Sequence, residues 1–218
     1  MLQASLLALI AGYADTIGFL RYEAFAGLMT GNTIMFGIEV ATSQWARAGF
    51  HATIMMMFLA GVMLAQAALR LGVSIPVALC GASGLLVLAG VTGKLTAALI
   101  LPLAMGLQNS AANRFNGVAL NTVFITGNIQ KVGEGLLAWA WPAPGKPRSS
   151  GGFAIYGLVW AAYVVGAGLG ALAERGLSQP LLLPALVLPF IMMQPGDYER
   201  LRAVVTRMAV QVRGLIGR

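Results

Sequence analysis

Charged residues are scarce in this sequence. They make up 10% of its 218 residues, whereas 58% are hydrophobic and the mean hydropathy is +0.80. A soluble domain of this length would carry about 25% charged residues. One water-soluble core cannot bury so much apolar surface, so most of it must contact lipid. The composition excludes a soluble globular protein and predicts an integral membrane protein in contact with the lipid bilayer.

Residues with metal-binding or redox chemistry are almost missing as well. Cys80 is the only cysteine and His51 the only histidine, which excludes disulfides within one chain and clusters of cysteine or histidine ligands. The sequence has no nucleotide-binding loop, no Ser-His-Asp set and no paired catalytic carboxylates. It therefore predicts no enzyme activity, no cofactor and no metal site. The basic residues gather near helix ends and in the C-terminal tail, which argues against a nucleic-acid partner.

Apolar stretches of nearly membrane-spanning length follow one another along the chain. A spanning helix needs roughly 20 mainly apolar residues, with about 17 to 25 tolerated. By this measure the sequence predicts an all-α transmembrane helix bundle of about eight spans. The second and eighth stretches are short, so six or seven spans also fit. The stretches are residues 2–21, 28–43, 47–71, 74–92, 95–114, 120–141, 152–175 and 177–194.

One motif occurs twice. Met29-Thr30-Gly31-Asn32 returns as Ile125-Thr126-Gly127-Asn128, with the two threonines 96 residues apart. Each copy follows an apolar helix in which a glycine precedes a polar residue by three positions. The matching residues are Gly12 and Asp15 in the first helix and Gly106 and Asn109 in the second, at a step of 94. The repetition predicts a duplicated unit.

The duplication divides the chain into two parts and a tail. We predict a first membrane repeat at residues 1–93, a second at 94–195, and a basic amphipathic cytoplasmic tail at 196–218. Each repeat would hold four helices. Because four is even, the second repeat would enter the membrane from the same side as the first. The repeats would then be parallel and related by an axis along the membrane normal.

The basic residues predict the orientation. With the N-terminus inside, nine basic residues lie on the inner side and four on the outer side, which favours both termini in the cytoplasm of a bacterial inner membrane. The inner set is Arg47, Lys94, Lys146, Arg148, Arg200, Arg202, Arg207, Arg213 and Arg218, and the outer set is Arg21, Arg70, Arg114 and Arg175.

Asp15 is the most distinctive single residue. An ionisable group at the centre of a membrane helix costs at least about 2.5–3.5 kcal/mol, so it normally faces a cavity or a partner. Gly12 and Gly18 flank it at three residues on either side and leave space for a neighbouring backbone. Asp15 could bind a cation or take up a proton. It could equally be structural, as a helix cap or as a partner of Arg21.

The Thr-Gly-Asn motifs are expected at helix starts. Thr and Asn are good N-cap residues, and Gly permits close backbone approach. The N–H groups at a helix start attract polar ligand atoms, and half-helix ends near the midplane often form transporter sites. The alternative is that the motifs only cap helices. We expect a substrate site at Asp15, Thr30, Gly31, Asn32, Gln108, Asn109, Asn113, Thr126, Gly127 and Asn128.

A polar stripe follows the second motif. Its residues recur every four positions and so share one helix face; they are Thr122, Thr126, Gln130 and Glu134. Lys131 is placed to pair with Glu134, and lipid cannot accommodate such a stripe, so it should line a protein interface or a wet path. Gln130, Lys131 and Glu134 are therefore second-tier site candidates. Glu39, next to the matching position in the first repeat, is expected to be a solvated carboxylate at a helix end.

Three motifs resemble the YoaK family, a broad bacterial and fungal family of small membrane proteins grouped as a domain of unknown function. They are residues 11–19 (AGYADTIGF), the Met-Thr-Gly-Asn and residues 104–109 (AMGLQN). The resemblance covers nearly the whole chain up to the basic tail. It implies a polytopic inner-membrane protein with about six spans, and it implies no substrate. Relatives usually have a small or polar residue, often His, before Met-Thr-Gly, where this chain has Leu28.

Two functions are compatible with these features. The duplicated halves, the helix-start motifs and the carboxylate within a span favour a secondary transporter or exporter of a small polar or organic solute. Its site would lie between the repeats, at the Thr-Gly-Asn helix starts. The alternative is a non-transporting accessory or assembly subunit, in which the polar motifs serve helix packing or docking to a membrane partner or a second copy.

Overall fold

The computed structural model describes residues 2–112, 114–115, 118–119, 125–142, 145 and 151–192. Most of these residues are helical, which confirms the all-helical class. The helices are α1 (Leu2–Tyr22), α2 (Met29–Ala41), α3 (Trp45–Arg70), α4 (Ile75–Val91), α5 (Lys94–Ala111), α6 (Ile125–Ala140), α7 (Ala154–Gly176) and α8 (Leu182–Val187), followed by a 3₁₀ turn at Leu188–Phe190. Two-residue strands β1 (Arg114–Phe115) and β2 (Val118–Ala119) pair antiparallel.

Three of these helices, α1, α3 and α7, are long and apolar enough to cross a membrane, and α4 is a shorter apolar helix. This agrees with the membrane location that the composition predicts. By contrast, α2 has 13 residues. It therefore extends about 20 Å, less than the roughly 30 Å of a bilayer's hydrocarbon core. By itself α2 is too short to span.

The first close pair of helices is α1 with α7, which meet through glycines. A Cβ atom on Gly12 would lie 2.1 Å from the Tyr163 carbonyl oxygen, and one on Gly166 would lie 1.9 Å from the Leu9 carbonyl oxygen. Real Cβ atoms do not come so near. Only glycine at these positions lets the two backbones touch, as small residues do in membrane helix pairs.

The second close pair is α3 with α5, and it is built in the same way. A Cβ atom on Gly61 would lie 2.2 Å from the Leu103 carbonyl oxygen, and one on Gly106 would lie 2.2 Å from that of Phe58. Next to this pair the apolar core lies between α1, α4, α5 and the α8 segment. Its fully buried large side chains include Leu7, Ile17, Leu79, Leu86, Leu101, Met105, Leu181 and Leu188.

Within each pair the helices run in the same direction. An early residue of one helix contacts an early residue of the other, and a later residue contacts a later one. These contacts are Leu9 with Gly166 and Arg21 with Glu174 in the first pair, and Gly61 with Leu103 and Gln66 with Ser110 in the second. Both pairs are therefore parallel.

α1 and α5 run in opposite directions. The Gln108 amide near the end of α5 donates a hydrogen bond to the Leu7 carbonyl oxygen near the start of α1, at 3.1 Å. Gly18 near the end of α1 faces Leu101 of α5. The prediction that α5 enters the bundle in the direction of α1, as the first helix of a parallel repeat, is therefore wrong.

The direction of α2 explains why α5 runs against α1. The backbone N–H groups just before α2 contact Asp15, in the second half of α1. The last turns of α2 lie beside the start of α3, where Glu39 contacts His51. The end of α1 lies there too, because the Glu23 carbonyl oxygen contacts the same histidine. Residues 23–28 thus fold back along α1, and α2 runs in the direction of α1.

α6 is placed in a similar way relative to α7. Gly135 of α6 faces the Phe153 ring just before α7, and Val132 faces Gly157 one turn later in α7. α6 therefore ends where α7 begins and is antiparallel to it. Because α7 runs with α1, and α1 runs against α5, α6 runs in the direction of α5.

Candidate functional site

The Asp15 carboxylate organises the connection between α1 and α2. Its Oδ1 accepts hydrogen bonds from the backbone N–H groups of Gly27 (2.6 Å) and Leu28 (3.1 Å). Its Oδ2 accepts one from the Tyr163 hydroxyl of α7, at 2.6 Å. The side chain is 2% exposed. The carboxyl group of Asp15 therefore lies at the N-terminal, partly positive end of α2.

No cation pairs with Asp15 among the described residues. Arg21, which the sequence offered as a structural partner, binds Glu174 instead. Its Nε lies 2.6 and 2.7 Å from the two carboxylate oxygens. That expectation for Arg21 is wrong, because Arg21 lies nearly two turns beyond Asp15, at the end of α1, where α7 supplies a carboxylate. Asp15 is thus a buried acid held by neutral donors alone.

Asn32 of the first motif also binds the folded-back connection. Its Oδ1 accepts a hydrogen bond from the Phe25 N–H (2.9 Å), and its Nδ2 donates to the Phe25 carbonyl oxygen (2.8 Å). Asn32 is fully buried. Gly31 faces the Phe25 ring, where a Cβ would come within 2.7 Å. Thr30 is exposed at the surface. The motif therefore holds the segment before α2, with Thr30 pointing away.

The second set of polar residues lies on α5. Gln108 is 1% exposed and Asn109 is 8% exposed. The Gln108 Nε2 bonds to Leu7, but the Oε1 of Gln108 and the Oδ1 of Asn109 have no hydrogen-bond partner among the described residues. Buried amide oxygens normally have one. These two oxygens are the strongest candidates for contacting a polar ligand atom.

The second Thr-Gly-Asn copy repeats the burial pattern of the first. Asn128 is buried, whereas Thr126 and Gly127 are exposed. Asn113 and Thr122 lie outside the described residues. In both motifs the asparagine faces inward and the threonine outward. The predicted threonines therefore do not line a shared site within the described part of one chain.

The polar stripe on α6 lies on the surface of the chain. The expected Lys131–Glu134 pair is confirmed, with Nζ 2.8 Å from Oε2, and Gln130 donates to the other Glu134 oxygen at 2.8 Å. All three side chains are exposed. They satisfy each other there, so the stripe lines no internal path through the described residues.

A buried acid–histidine cluster at the start of α3 was missed by the sequence analysis. Glu39 is 3% exposed and His51 1% exposed, and Glu39 Oε2 lies 2.8 Å from His51 Nδ1. Arg47 joins Glu39 (3.2 Å) to Glu23 (2.5 Å). The expectation of a solvated Glu39 is wrong, because the end of α2 turns toward α3. The twelve-residue spacing of Glu39 and His51 gives no helical signal that would reveal the contact.

A polar cavity of about 460 Å³ opens where α1, α4 and α7 end and α5 begins. We name this the Arg21 end of the bundle. Its polar lining comprises Arg21, Tyr22, Thr92, Lys94, Glu174 and Gln179. None of the predicted substrate residues lines this cavity. Those that the structure describes lie in three places: around the start of α2, on α5 and at the start of α6.

Together these features define a helical, membrane-type bundle in which the described residues include two buried acids, Asp15 and Glu39, and the short helix α2. A family model described as "Protein of unknown function (DUF1275)" matches residues 3–194. The chain belongs to this family. No curated protein and no solved structure matches it. The family description does not carry the YoaK name, which remains a resemblance.

Proposed function

We propose that the protein is a secondary transporter of a small polar or organic solute in the bacterial inner membrane. The observation that carries the proposal is the placement of α2, a half-length helix that begins beside the buried Asp15 carboxylate. Half-helix ends beside an ionisable residue within a span are a recurrent arrangement in secondary transporters.

We infer that the two halves are inverted repeats, each with three crossings and one half-helix. The crossings would be α1, α3 and α4 in residues 1–93, and α5, α7 and the segment beginning with α8 in residues 94–195. The two glycine pairs support the repeat, because Gly12 and Gly106 are 94 residues apart and Gly61 and Gly166 are 105 apart. Three is odd, so the second half is inverted, which the antiparallel contacts of α1 and α5 support.

The inverted arrangement keeps both termini in the cytoplasm. The Arg21 end carries Arg21, Arg47, Lys94 and Arg175. By sequence order alone, the proposed arrangement would put Arg70, Arg114, Lys146, Arg148 and the five tail arginines on the opposite side of the membrane. Compared with the eight-span arrangement, Arg47 and Lys94 move to the outer side, and Arg70 and Arg114 move to the inner side. The inner side therefore still has nine basic residues and the outer side four. The Arg21 end would therefore face the periplasm.

Asp15 is the residue proposed to couple transport to a proton or a cation. Loading of the carboxylate with a proton would weaken its hold on the N–H groups of Gly27 and Leu28, because a neutral acid is a poorer acceptor. The connection of residues 23–28 would then be free to shift. The unpaired oxygens of Gln108 and Asn109 supply the acceptors for a polar solute on the other half.

The test is flux in proteoliposomes for a panel of labelled small solutes, with and without a pH gradient. Asp15→Asn keeps an amide oxygen for the two N–H groups but cannot titrate, so it should abolish the effect of the gradient. Thr30→Ala, which changes an exposed side chain of the same motif, is the matched control and should behave as wild type. Equal gradient-dependent flux in wild type and Asp15→Asn would remove Asp15 from coupling.

The second candidate is a non-transporting accessory or assembly subunit. The hydrogen bonds of Asp15 and Asn32 favour this function, because all of them are made to other groups of the same chain and none requires a solute. The exposed polar stripe of α6 would then serve docking to a membrane partner or a second copy. A stoichiometric partner in mild-detergent purification, together with no flux for any solute, would favour this function.

A further inference from the structure

The only histidine of the chain lies between two acceptors. His51 Nδ1 is 2.8 Å from the Glu39 carboxylate, and Nε2 is 3.1 Å from the Glu23 backbone carbonyl oxygen. The ring is 1% exposed, so water cannot replace either contact. A carboxylate and a carbonyl oxygen both need a donor. Only the doubly protonated imidazolium can donate from both ring nitrogens.

The charged groups around the ring differ in exposure, because Glu39 is buried whereas Glu23 and Arg47 reach solvent. Glu39 and Glu23 supply two negative charges, and Arg47, bound to both, supplies one positive charge. A protonated His51 adds a second positive charge, and it lies next to the buried Glu39 carboxylate. Tyr22 of α1 and Lys94 of α5 line a small cavity with Phe50, the neighbour of His51, and complete the polar groups on this side.

The three groups that meet at His51 belong to three segments. Glu39 is in the last turn of α2, Glu23 begins the folded-back connection, and His51 is in the second turn of α3. Glu39 is the only buried side chain in the last two turns of α2, and the others there are exposed or half-buried. Losing the proton would leave one acceptor facing a ring lone pair, so the fastening between α2 and α3 would weaken.

We propose that His51 is a proton-binding site that fastens the end of α2 to the start of α3 and releases it on deprotonation. The site goes beyond the proposed transport activity and does not depend on it, because it concerns the opposite end of α2 from Asp15. If the protein does transport a solute, protonation of Asp15 at the start of α2 and of His51 at its end are separate events.

The first measurement uses the single histidine. In protein labelled with ¹⁵N-histidine and reconstituted in nanodiscs, the imidazole spectrum reports His51 alone. We expect two ring N–H groups at the lowest pH of the series and loss of one as the pH is raised, since only the imidazolium carries both. A ring with only one N–H group at the lowest pH would overturn the proposal.

The second measurement follows α2 itself. Spin labels at Ile38→Cys and Thr53→Cys, both exposed positions, in a Cys80→Ala background give the distance between α2 and α3 by pulsed EPR. We expect a narrow distribution at low pH that broadens as the ring loses its proton. Glu39→Gln and His51→Gln should be broad at every pH. An unchanged wild-type distribution while the ring titrates would overturn the fastening, whatever the flux experiment gives.

Discussion

At the scale of single residues, the candidate site consists of polar side chains that bind backbone. Asp15 holds two N–H groups of a segment that lies twelve residues further along the chain, and Asn32 holds Phe25 on both its N–H and its carbonyl group. A folded-back connection inside a bilayer has no water to satisfy its backbone. These two side chains do so instead, which explains why polar residues are present where lipid disfavours them.

Asp15→Ala should destabilise the protein far more than the isosteric replacement Asp15→Asn. Asp15→Ala leaves two N–H groups and the Tyr163 hydroxyl without an acceptor, so we expect a loss of about 2–4 kcal/mol. Asp15→Asn keeps one oxygen for the N–H groups and should lose about 1 kcal/mol. Thermal unfolding of the purified protein in detergent checks the order. Equal midpoints for the two variants would mean that the carboxylate does not hold the connection.

Alanine substitutions of the two polar residues of the first motif, Asn32 and Thr30, should differ sharply in their cost to stability. Asn32→Ala removes both hydrogen bonds to Phe25 from a fully buried site and should expose residues 23–28 to limited proteolysis, at a cost of about 1–3 kcal/mol. Thr30→Ala, two positions away and exposed, should cost less than about 0.5 kcal/mol. A protease-resistant Asn32→Ala variant would contradict the role given to this asparagine.

The residue types of the site were predictable from the sequence, but their partners were not. A carboxylate within an apolar helix must find donors, so Asp15 stood out. The donors are backbone groups, which carry no sequence signal. His51 and Glu39 could not be paired in advance, because a contact across a helix turnaround depends on the direction of α2 and follows no helical period.

At the scale of helices, the two glycine pairs set the architecture. α1 with α7 and α3 with α5 come into backbone contact, and no other pair of helices shows such contacts among the described glycines. Between apolar helices in lipid, close packing replaces the hydrophobic effect as the main attraction. Each pair is therefore expected to behave as a stiff unit.

A methyl group in the first pair should separate its helices. Gly166→Ala places a Cβ atom 1.9 Å from the Leu9 carbonyl oxygen, so the backbones must move apart, at a cost of about 1–3 kcal/mol. Gly168→Ala lies on the same helix, two residues away, with nothing within 4 Å, and should be neutral or slightly stabilising. Detergent unfolding of the two variants compares them directly, and a neutral Gly166→Ala would contradict the close contact.

The positions of most helices follow the predicted apolar stretches, although the eighth stretch holds only the six-residue α8 and a 3₁₀ turn. The directions of several helices, α2 and α5 among them, differ from the prediction. Apolar length gives the extent of a helix and says nothing about which way it crosses. The stretch 28–43 is short for a span, and its 13-residue helix was counted as a crossing. In the proposed arrangement this helix is not a crossing, so the first half has three crossings instead of four, and the second half is inverted instead of parallel.

At the scale of the whole molecule, the proposed inverted arrangement has a topology that labelling can test. Single cysteines at Gln3, Leu71 and Gly93, in a Cys80→Ala background, mark the starts of α1, α4 and α5 at exposed positions. We expect a membrane-impermeant thiol reagent to find Gln3→Cys and Leu71→Cys on one side and Gly93→Cys on the other. The eight-span parallel arrangement would instead put Gln3→Cys and Gly93→Cys together.

The glycine pairs also bear on the origin of the chain, because each joins a helix of one half to a helix of the other. A protein made of one half alone would expose the glycine faces of both its long helices. It could cover them only with a second copy, and the inverted relation requires that copy to be inserted upside down. In the proposed inverted arrangement, the fold would correspond to a dual-topology dimer, and a single chain would give each half a fixed orientation.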